Sequence, residues 1–498
     1  MLFVSSKSAV NRHGVFAVEI APPAAIKAIG TGVVGFVGQF PWGPDQELTI
    51  PDSWKDATDM FCPPGFDRSS TGYMALAGKG WPSLRIVRAL PAAAGKASIA
   101  LTAAGPTTIV TATAKYKGTA GNGITCVVSA ADDADANHFN LTVTKTGTSG
   151  TTVDTLRNLN FSGTGSDSVV DFTKLKLLGA LTKSNSGRPV NGTYTMASGA
   201  DGSIVSSDYI GTAGTADKGI ALLEKDLDVG VVVTDDPGNT LRAAVNAGLV
   251  AHAILMGDRL AVISGNSGLS TSAVRTDVAN YRSSDRIVYV DLWYKKYDES
   301  GVKQLTYPAP IMASVIAQIS PSTSPGWKAK EVREMLREIV ELESDRGESA
   351  GGNTDQGIAT LIREVSGGFT FEAGVLTYGA VDITKKNVTR RRMADYIAKS
   401  VTLSLREITD SPNVEENQTN LVSAIDAFLA GLKRAKSLDP NHTPHILDYK
   451  ILPISETNTQ ADLDAGEFTV QADIKTSSAM EKIFFAVRLG ETVQITAT

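Results

Sequence analysis

Between about residues 91 and 200 the chain departs from the patterning on either side of it, and this departure limits the fold more than any other feature. The stretch is rich in Thr, Ala, Gly and Ser, and short segments within it alternate apolar and polar residues, at 108–114, 124–130, 139–144 and 152–161. Such alternation sends successive side chains to opposite faces of a strand, and turn-formers at 117–123 and 146–150 separate the segments. Short strands with frequent turns predict an all-β sandwich or small barrel set into the chain as a separate β domain.

The flanks read differently. Residues 1–90 mix short apolar runs with Gly and Pro, as at 31–38 and 85–89. After Gly211 the pattern becomes α/β. A strand is expected at 229–233, a turn at Asp235-Asp236-Pro237-Gly238, a helix at 240–253, and further strands at 260–263 and 286–293. The strongest helical pattern spans 328–343, where Val332, Met335, Leu336, Ile339 and Leu342 share one face while Arg333, Glu334, Arg337 and Glu341 take the other. Helices are also expected at 390–406 and at 418–436, the latter with Leu421, Ile425, Phe428, Leu429 and Leu432 inward. At 498 residues the chain is too long for one core and should divide into roughly three domains.

Composition narrows the functional classes. With 42% hydrophobic and 20% charged residues the chain reads as soluble and globular, and a net charge of -6 argues against a general nucleic-acid-binding surface. Residues 1–10 carry Ser and Lys in place of the apolar core of a secretion signal. The most apolar stretch, 245–256, is interrupted by Asn246 and His252 and is too short to span a bilayer. Cys62 and Cys126 are the only cysteines and have no CxxC spacing, so they support neither a disulfide framework nor a thiolate metal site. They read as two thiols in a reducing compartment.

Three motifs test an enzymatic reading. Gly30-Thr-Gly32-Val-Val-Gly35 has the letters of a dinucleotide fingerprint, which works only when its last glycine opens a helix; Gly38, Pro41, Gly43 and Pro44 follow at once and forbid one. Gly347-Glu-Ser349-Ala-Gly351 has the letters of a nucleophile elbow, with His442 and His445 downstream. An elbow needs a buried strand before the serine and a helix after it. Here an amphipathic helix is expected before it, and Gly352-Asn-Thr-Asp-Gln-Gly357 after it offers no prompt helix start. A cytoplasmic serine hydrolase using Ser349 is the alternative enzyme reading, and a polar loop is favoured. Asp133, Asp135 and Asn137 begin like a calcium loop, but His138 stands where Gly is required and Thr144 where a bidentate Glu is required. His442 and His445 lack further ligands for a metal site, so neither metal nor cofactor is expected.

The extreme C-terminus has half-buried strand patterning to its last residue. Phe485, Val487, Leu489, Val493, Ile495 and Ala497 share one parity, interrupted by Glu491, and polar residues fill the other. Such a strand either edges a sheet of its own domain or pairs with a neighbouring subunit.

Taken in order, several segments resemble the tail sheath proteins of contractile-tailed bacteriophages and related injection machines. Residues 13–20 are similar to the family's opening strand, with His13 where Pro is usual. Residues 31–38 with Gly43-Pro44 are similar to its first core strand and turn, and Gly80-Trp81 with 85–88 to the strand closing that region. Residues 115–118 with Gly121-Asn122, and 199–202 with 208–211, resemble the borders of an inserted β-sandwich. Residues 310–317 and 326–329, Arg391-Arg392, Tyr396-Ile397, Pro412-Asn413, Phe428-Leu429 with Leu432, Asn458-Thr459, Gly466 and 480–484 complete the series.

The resemblance implies a mixed α+β, multi-domain sheath fold with an α/β core, an inserted all-β sandwich and extended strand arms. Its expected divisions are an N-terminal arm at 1–20, core at 21–91, the inserted sandwich at 92–211, core again at 212–385, a C-terminal sheath domain at 386–484 and a C-terminal arm at 485–498. It implies no enzyme and no cofactor, but a virion subunit assembled in the host bacterial cytoplasm. Copies would stack as hexameric rings in a helix around a tail tube protein, meet baseplate and tail terminator proteins, and contract to drive the tube through the envelope for genome ejection. No direct nucleic-acid contact and no membrane insertion are implied. Carried over, the inter-subunit arms are represented by Gly14, Val15, Phe16 and Val18, and by Val487, Leu489, Val493 and Ile495. The basic end of the last helix, Lys433, Arg434 and Lys436, is either a tube contact or simply favourable charge at a helix C-terminus. Another tail or baseplate component remains a third reading.

Overall fold

Six apolar strands run parallel through the middle of the computed structural model, which describes residues 2–4, 16–18, 26, 30, 32–163, 167–347, 349–365, 367–405, 413–434 and 445–476. Their sheet has the order Phe369–Phe371, Ile358–Arg363, Ile287–Asp291, Leu260–Ser264, Val231–Thr234, Val33–Gly38, Ser83–Arg88 and Leu48–Thr49. Only the two short outermost strands pair antiparallel. Strands of such a sheet are covered on both faces and read as continuous apolar runs. Val33–Gly38 is buried at every position. Val34 and Phe36 join a core that includes Ile311, Met312 and Val315 of the helix Ala309–Gln318. Val33 and Val37 join the opposite core, with Val245 and Leu249 of the helix Asn239–Met256.

Gly35 lies in the middle of this strand, not at the start of a helix, so the fingerprint lettering of 30–35 is strand punctuation. A Cβ on Gly35 would meet the side chains of Leu223 and Val229 at 2.7 and 3.1 Å, which explains the glycine by close packing.

The Thr- and Ala-rich stretch forms two antiparallel sheets. One has the order Gly150–Asn160, His138–Gly147, Thr125–Ala130, Gly192–Thr195; the other has Leu178–Lys183, Thr108–Lys117, Lys96–Thr102. Inward residues of both sheets, among them Leu101, Val110, Ala112, Cys126, Phe139, Leu141 and Val143, make one core. That core also takes in Trp42, Cys62, Phe66 and Tyr73 from before the insertion, so the β part is not the separate unit its composition suggested.

Polar contacts reinforce the joint. The Gly65 N–H donates to Ser149 Oγ at 3.0 Å, Ser149 Oγ donates to the Phe66 carbonyl at 2.9 Å, and Thr152 Oγ1 donates to the Pro64 carbonyl at 2.7 Å. Arg88, fully buried, donates to the carbonyls of Phe40, Gly43 and Pro41 on one side and of Lys117 on the other. Burial lowers its guanidinium to about 10. Cys62 and Cys126 are free and buried, and desolvation pushes both thiols up to about 12.

The expected helix at 328–343 is cut short. Only Lys330–Met335 is helical, and Glu341–Leu342 instead pairs antiparallel with Tyr294–Tyr297. Val332, Leu336 and Ile339 are buried as the periodicity required. The helix stops because Glu338 is drawn to two lysines, Lys79 at 2.7 Å and Lys296 at 3.2 Å, while the Val340 N–H donates to the Lys295 carbonyl. Tertiary pairing here outweighs a local preference of tenths of a kcal/mol per residue.

Candidate assembly surfaces

Two long helices and a two-stranded hairpin, whose connection carries the short helices Ile454–Thr457 and Gln460–Asp464, make the last described part of the chain. Val388–Leu405 and Glu415–Arg434 fall close to the spans that periodicity indicated. Met393 and Ile397 of the first pack with Ile425, Leu429 and Leu432 of the second and with Ile446. Glu415 and Glu416 open the second helix and Lys433 and Arg434 close it, each end matched to the helix dipole. Strand Ile446–Ile451 pairs antiparallel with Ala472–Thr476. This sheet has two strands among the described residues, and a two-stranded sheet is marginal on its own in water.

The first helix is bound to the α/β core by charge. Arg286 donates from Nη1 and Nη2 to the two carboxylate oxygens of Asp395 at 2.8 and 3.0 Å. Arg391 also reaches Asp395, at 2.7 Å, and Asp285 at 3.4 Å. Lys399 pairs with Asp258 at 3.0 Å and donates to the Val229 carbonyl at 2.8 Å; burial lowers its pKa. Arg392 donates to the Ile319 and Ser320 carbonyls at 3.0 and 3.1 Å, and desolvation pulls it down to about 9. Sequence reasoning singled out Arg391-Arg392 without seeing this joint. The available signal was two arginines adjoining Met393 on a helix whose apolar stripe faces inward.

The expected contact residues fall out as follows. Lys433 Nζ pairs with Asp448 Oδ1 at 2.7 Å and lies 6.0 Å from the Tyr449 ring centroid, so it serves its own hairpin. Arg434 ends the same helix, and Lys436 lies outside the described residues. At the N-terminus Leu2–Val4 pairs parallel with Phe16–Val18, bringing Leu2 opposite Phe16 and Val4 opposite Val18. Gly14 and Val15, and the whole C-terminal arm with Val487, Leu489, Val493 and Ile495, lie outside the described residues.

The enzyme motifs resolve differently. A helix, Ser349–Asp355, does begin at Ser349, against the expectation that this loop could not start one. The element before it is the two-residue strand Glu341–Leu342 followed by bends, not the buried strand of an elbow. His445 Nδ1 is hydrogen-bonded to Ser322 Oγ at 3.1 Å, and His442 lies outside the described residues. In the loop at 132–138, His138 contacts Asp133 at 2.6 Å and Asp135 at 3.7 Å, occupying carboxylates that a cation would need. Among the described residues no group of His, Cys, Asp and Glu could hold a metal, and no helix is long and apolar enough to cross a membrane.

Comparison with known proteins follows this geometry. Residues 381–490, which contain both helices and the hairpin, match the family described as phage tail sheath C-terminal domain. No curated protein matches the chain by sequence. The fold is similar to that of a sheath tail protein from Listeria innocua, at TM-score 0.61 and 15% identity, over 91% of this chain and 96% of that one. A sheath tail protein from Desulfitobacterium hafniense gives 0.61 and 14%, over 88% and 93%. The helical sheath of the anti-feeding prophage in its contracted state gives 0.55 and 14%, over 96% and 99%. The fold is thus similar to that of contractile-system sheath proteins, and the match of residues 381–490 to a tail sheath C-terminal domain agrees with the resemblance in the sequence.

Proposed function

We propose that this chain is the structural subunit of a contractile tail sheath, which polymerises helically around a tail tube and shortens to drive the tube through a bacterial envelope. The observation that carries the reading is the pairing of a sheath-like fold over nearly the whole chain with a match to a tail sheath C-terminal domain, whose sheet has two strands among the described residues. A heterologous contact that does not close on itself builds a helix of subunits. Strands lent to a neighbour's sheet keep main-chain hydrogen bonds while the bodies reorient. The hairpin of Ile446–Ile451 and Ala472–Thr476 is the acceptor this reading requires, and residues 485–498 are the strand it would receive.

The finer assignments belong to the same reading. The arms are 1–20 and 485–498, the core 21–91 and 212–385, the insertion 92–211 and the C-terminal domain 386–484. The partners are other copies, a tube protein, and baseplate and terminator proteins. Related folds come from a helical sheath and from a baseplate assembly, which supports these classes of partner. A phage virion is favoured by the family match at the C-terminus. With Lys433 engaged by Asp448, a tube contact at this helix end falls to Arg434 and Lys436. No catalytic role enters the proposal.

Electron microscopy of the purified full chain tests it. Hollow cylinders with a helical repeat are expected. Monomers or discrete closed complexes at every concentration and salt tried would reject the reading.

A further inference from the structure

Three neighbouring strands of the central sheet, Val231–Thr234, Leu260–Ser264 and Ile287–Asp291, run parallel and end on one edge. In open parallel sheets this carboxyl edge, with the loops and helix starts that follow it, is where small molecules bind. Here it holds a cavity of about 140 Å³ between the start of helix Asn239–Met256 and helix Thr271–Val278. The rim carries the exposed Asn239, Ala243 and Asn266, and the floor the buried Arg242, Asn246 and Tyr281. It lies apart from the joint with the C-terminal helices.

Two polar atoms on the floor are left over. Arg242 is 2% exposed and Asn246 1%. Arg242 is held in place: Nη1 donates to Asn239 Oδ1 at 2.7 Å and to Asn266 Oδ1, and Nη2 donates to Asp236. Its guanidinium lies 5.0 Å from the Trp293 ring centroid. Asn246 Nδ2 donates to the Ser264 carbonyl at 3.0 Å. After these bonds, Arg242 Nε and Asn246 Oδ1 are buried and have no partner among the described residues. A buried donor and a buried acceptor left unpaired are costly. Here they belong to residues one helical turn apart that line the same cavity.

Those two atoms and the wall around them select the ligand. It must accept from the Arg242 N–H and donate to the Asn246 carbonyl oxygen, and a hydroxyl does both. A carboxylate would leave Asn246 Oδ1 unpaired, and it would meet Asp277 on the wall with Arg242 already paired to Asp236. An ammonium would leave the Arg242 N–H unpaired beside a like charge. Leu269, Ala273 and the Tyr281 ring give the wall an apolar share, which offers water no bond but suits C–H groups. A cavity of about 150 Å³ admits a benzene ring, so the occupant has roughly six to eight heavy atoms. We infer that this cavity is a binding site for a small neutral polyol of about the size of a tetritol. The inference concerns the single folded subunit and does not rest on the assembly reading.

Saturation-transfer NMR of the full chain with erythritol tests it, with n-butyrate and n-butylammonium as charged ligands of similar length. Transfer to erythritol and not to the other two is expected. Ala243→Phe places a ring at the exposed rim and should weaken erythritol binding about ten-fold or more without changing the circular dichroism. Asn246→Leu removes the acceptor and should do the same; if that variant does not fold, Ala243→Phe decides alone. No transfer to erythritol in wild type would mean hydration only and would overturn the inference. Equal transfer in Ala243→Phe would put the binding elsewhere, and stronger transfer to n-butyrate or n-butylammonium would overturn the ligand class.

Discussion

Arg286 and Asp395 meet fork to fork, with both terminal nitrogens of the guanidinium donating to both carboxylate oxygens, and each side chain is only 11% exposed. The pair spans 109 residues and joins the central sheet to the first helix of the C-terminal part. Replacing the buried pair wholesale could be neutral, whereas removing one member strands a charge. Asp395→Ala leaves both Arg286 and Arg391 without their shared counter-charge and should cost about 3–5 kcal/mol. Arg391→Ala should cost less, since its side chain is 23% exposed and Arg286 still satisfies Asp395. Urea unfolding of the two variants, followed by circular dichroism, checks both the size and the order.

His252 should make the subunit less stable in acid. Its folded pKa is lowered to about 4 by burial and by the neighbouring Arg259, against an ordinary value of 6.5. Between those values the unfolded chain binds the proton and the folded chain does not, so this stability is present above about pH 6.5 and is lost as pH falls toward 4. Asp235 works in the opposite direction. It is fully buried and raised to about 7, so it favours the folded state as pH falls from 7 toward its ordinary value. The clean measurement is therefore a comparison: the drop in urea midpoint between pH 7.5 and pH 5 should be smaller in His252→Gln than in wild type. An equal drop would remove His252 as the cause.

Gly65 should tolerate no side chain. Its φ is +95°, and a Cβ would lie 2.4 Å from the Lys145 carbonyl oxygen, on the hairpin of the inserted sheets. Backbone strain and overpacking together predict a loss of about 2–4 kcal/mol for Gly65→Ala. Because the clash sits at the joint, limited trypsin digestion should cut the flanks of the insertion faster in the variant than in wild type.

Truncation after Gly490 should leave a folded monomer that forms no cylinders. The removed residues include Val493 and Ile495, which the proposed arm uses to fill its acceptor. Sedimentation velocity and electron microscopy of the truncated chain give the answer, and normal cylinders would refute the arm.

Much of this architecture was legible locally. Alternation at 108–161 announced the antiparallel sheets, and the helices at 388–405 and 415–434 showed their apolar stripes, because period and turn chemistry are properties of neighbouring residues. The resemblance to sheath proteins was likewise carried by short segments kept in order. Contacts between distant parts of the chain were not legible. That the β insertion shares a core with Trp42, Phe66 and Tyr73 depends on which surfaces meet after folding, and composition had suggested a boundary there.

The region 328–343 shows the division most clearly. By itself the sequence determined which residues go inside: Val332, Leu336 and Ile339 are buried as their spacing required. Only the tertiary structure decided that the helix ends at Met335, because Glu338 finds Lys79 and Lys296 and the next residues find a strand edge at Tyr294 and Lys295. Burial of apolar side chains is worth kilocalories per residue and is written in the spacing. The choice between helix and strand for the same inward residues is worth tenths, and is settled by partners 40 or more residues away, and over 200 in the case of Lys79.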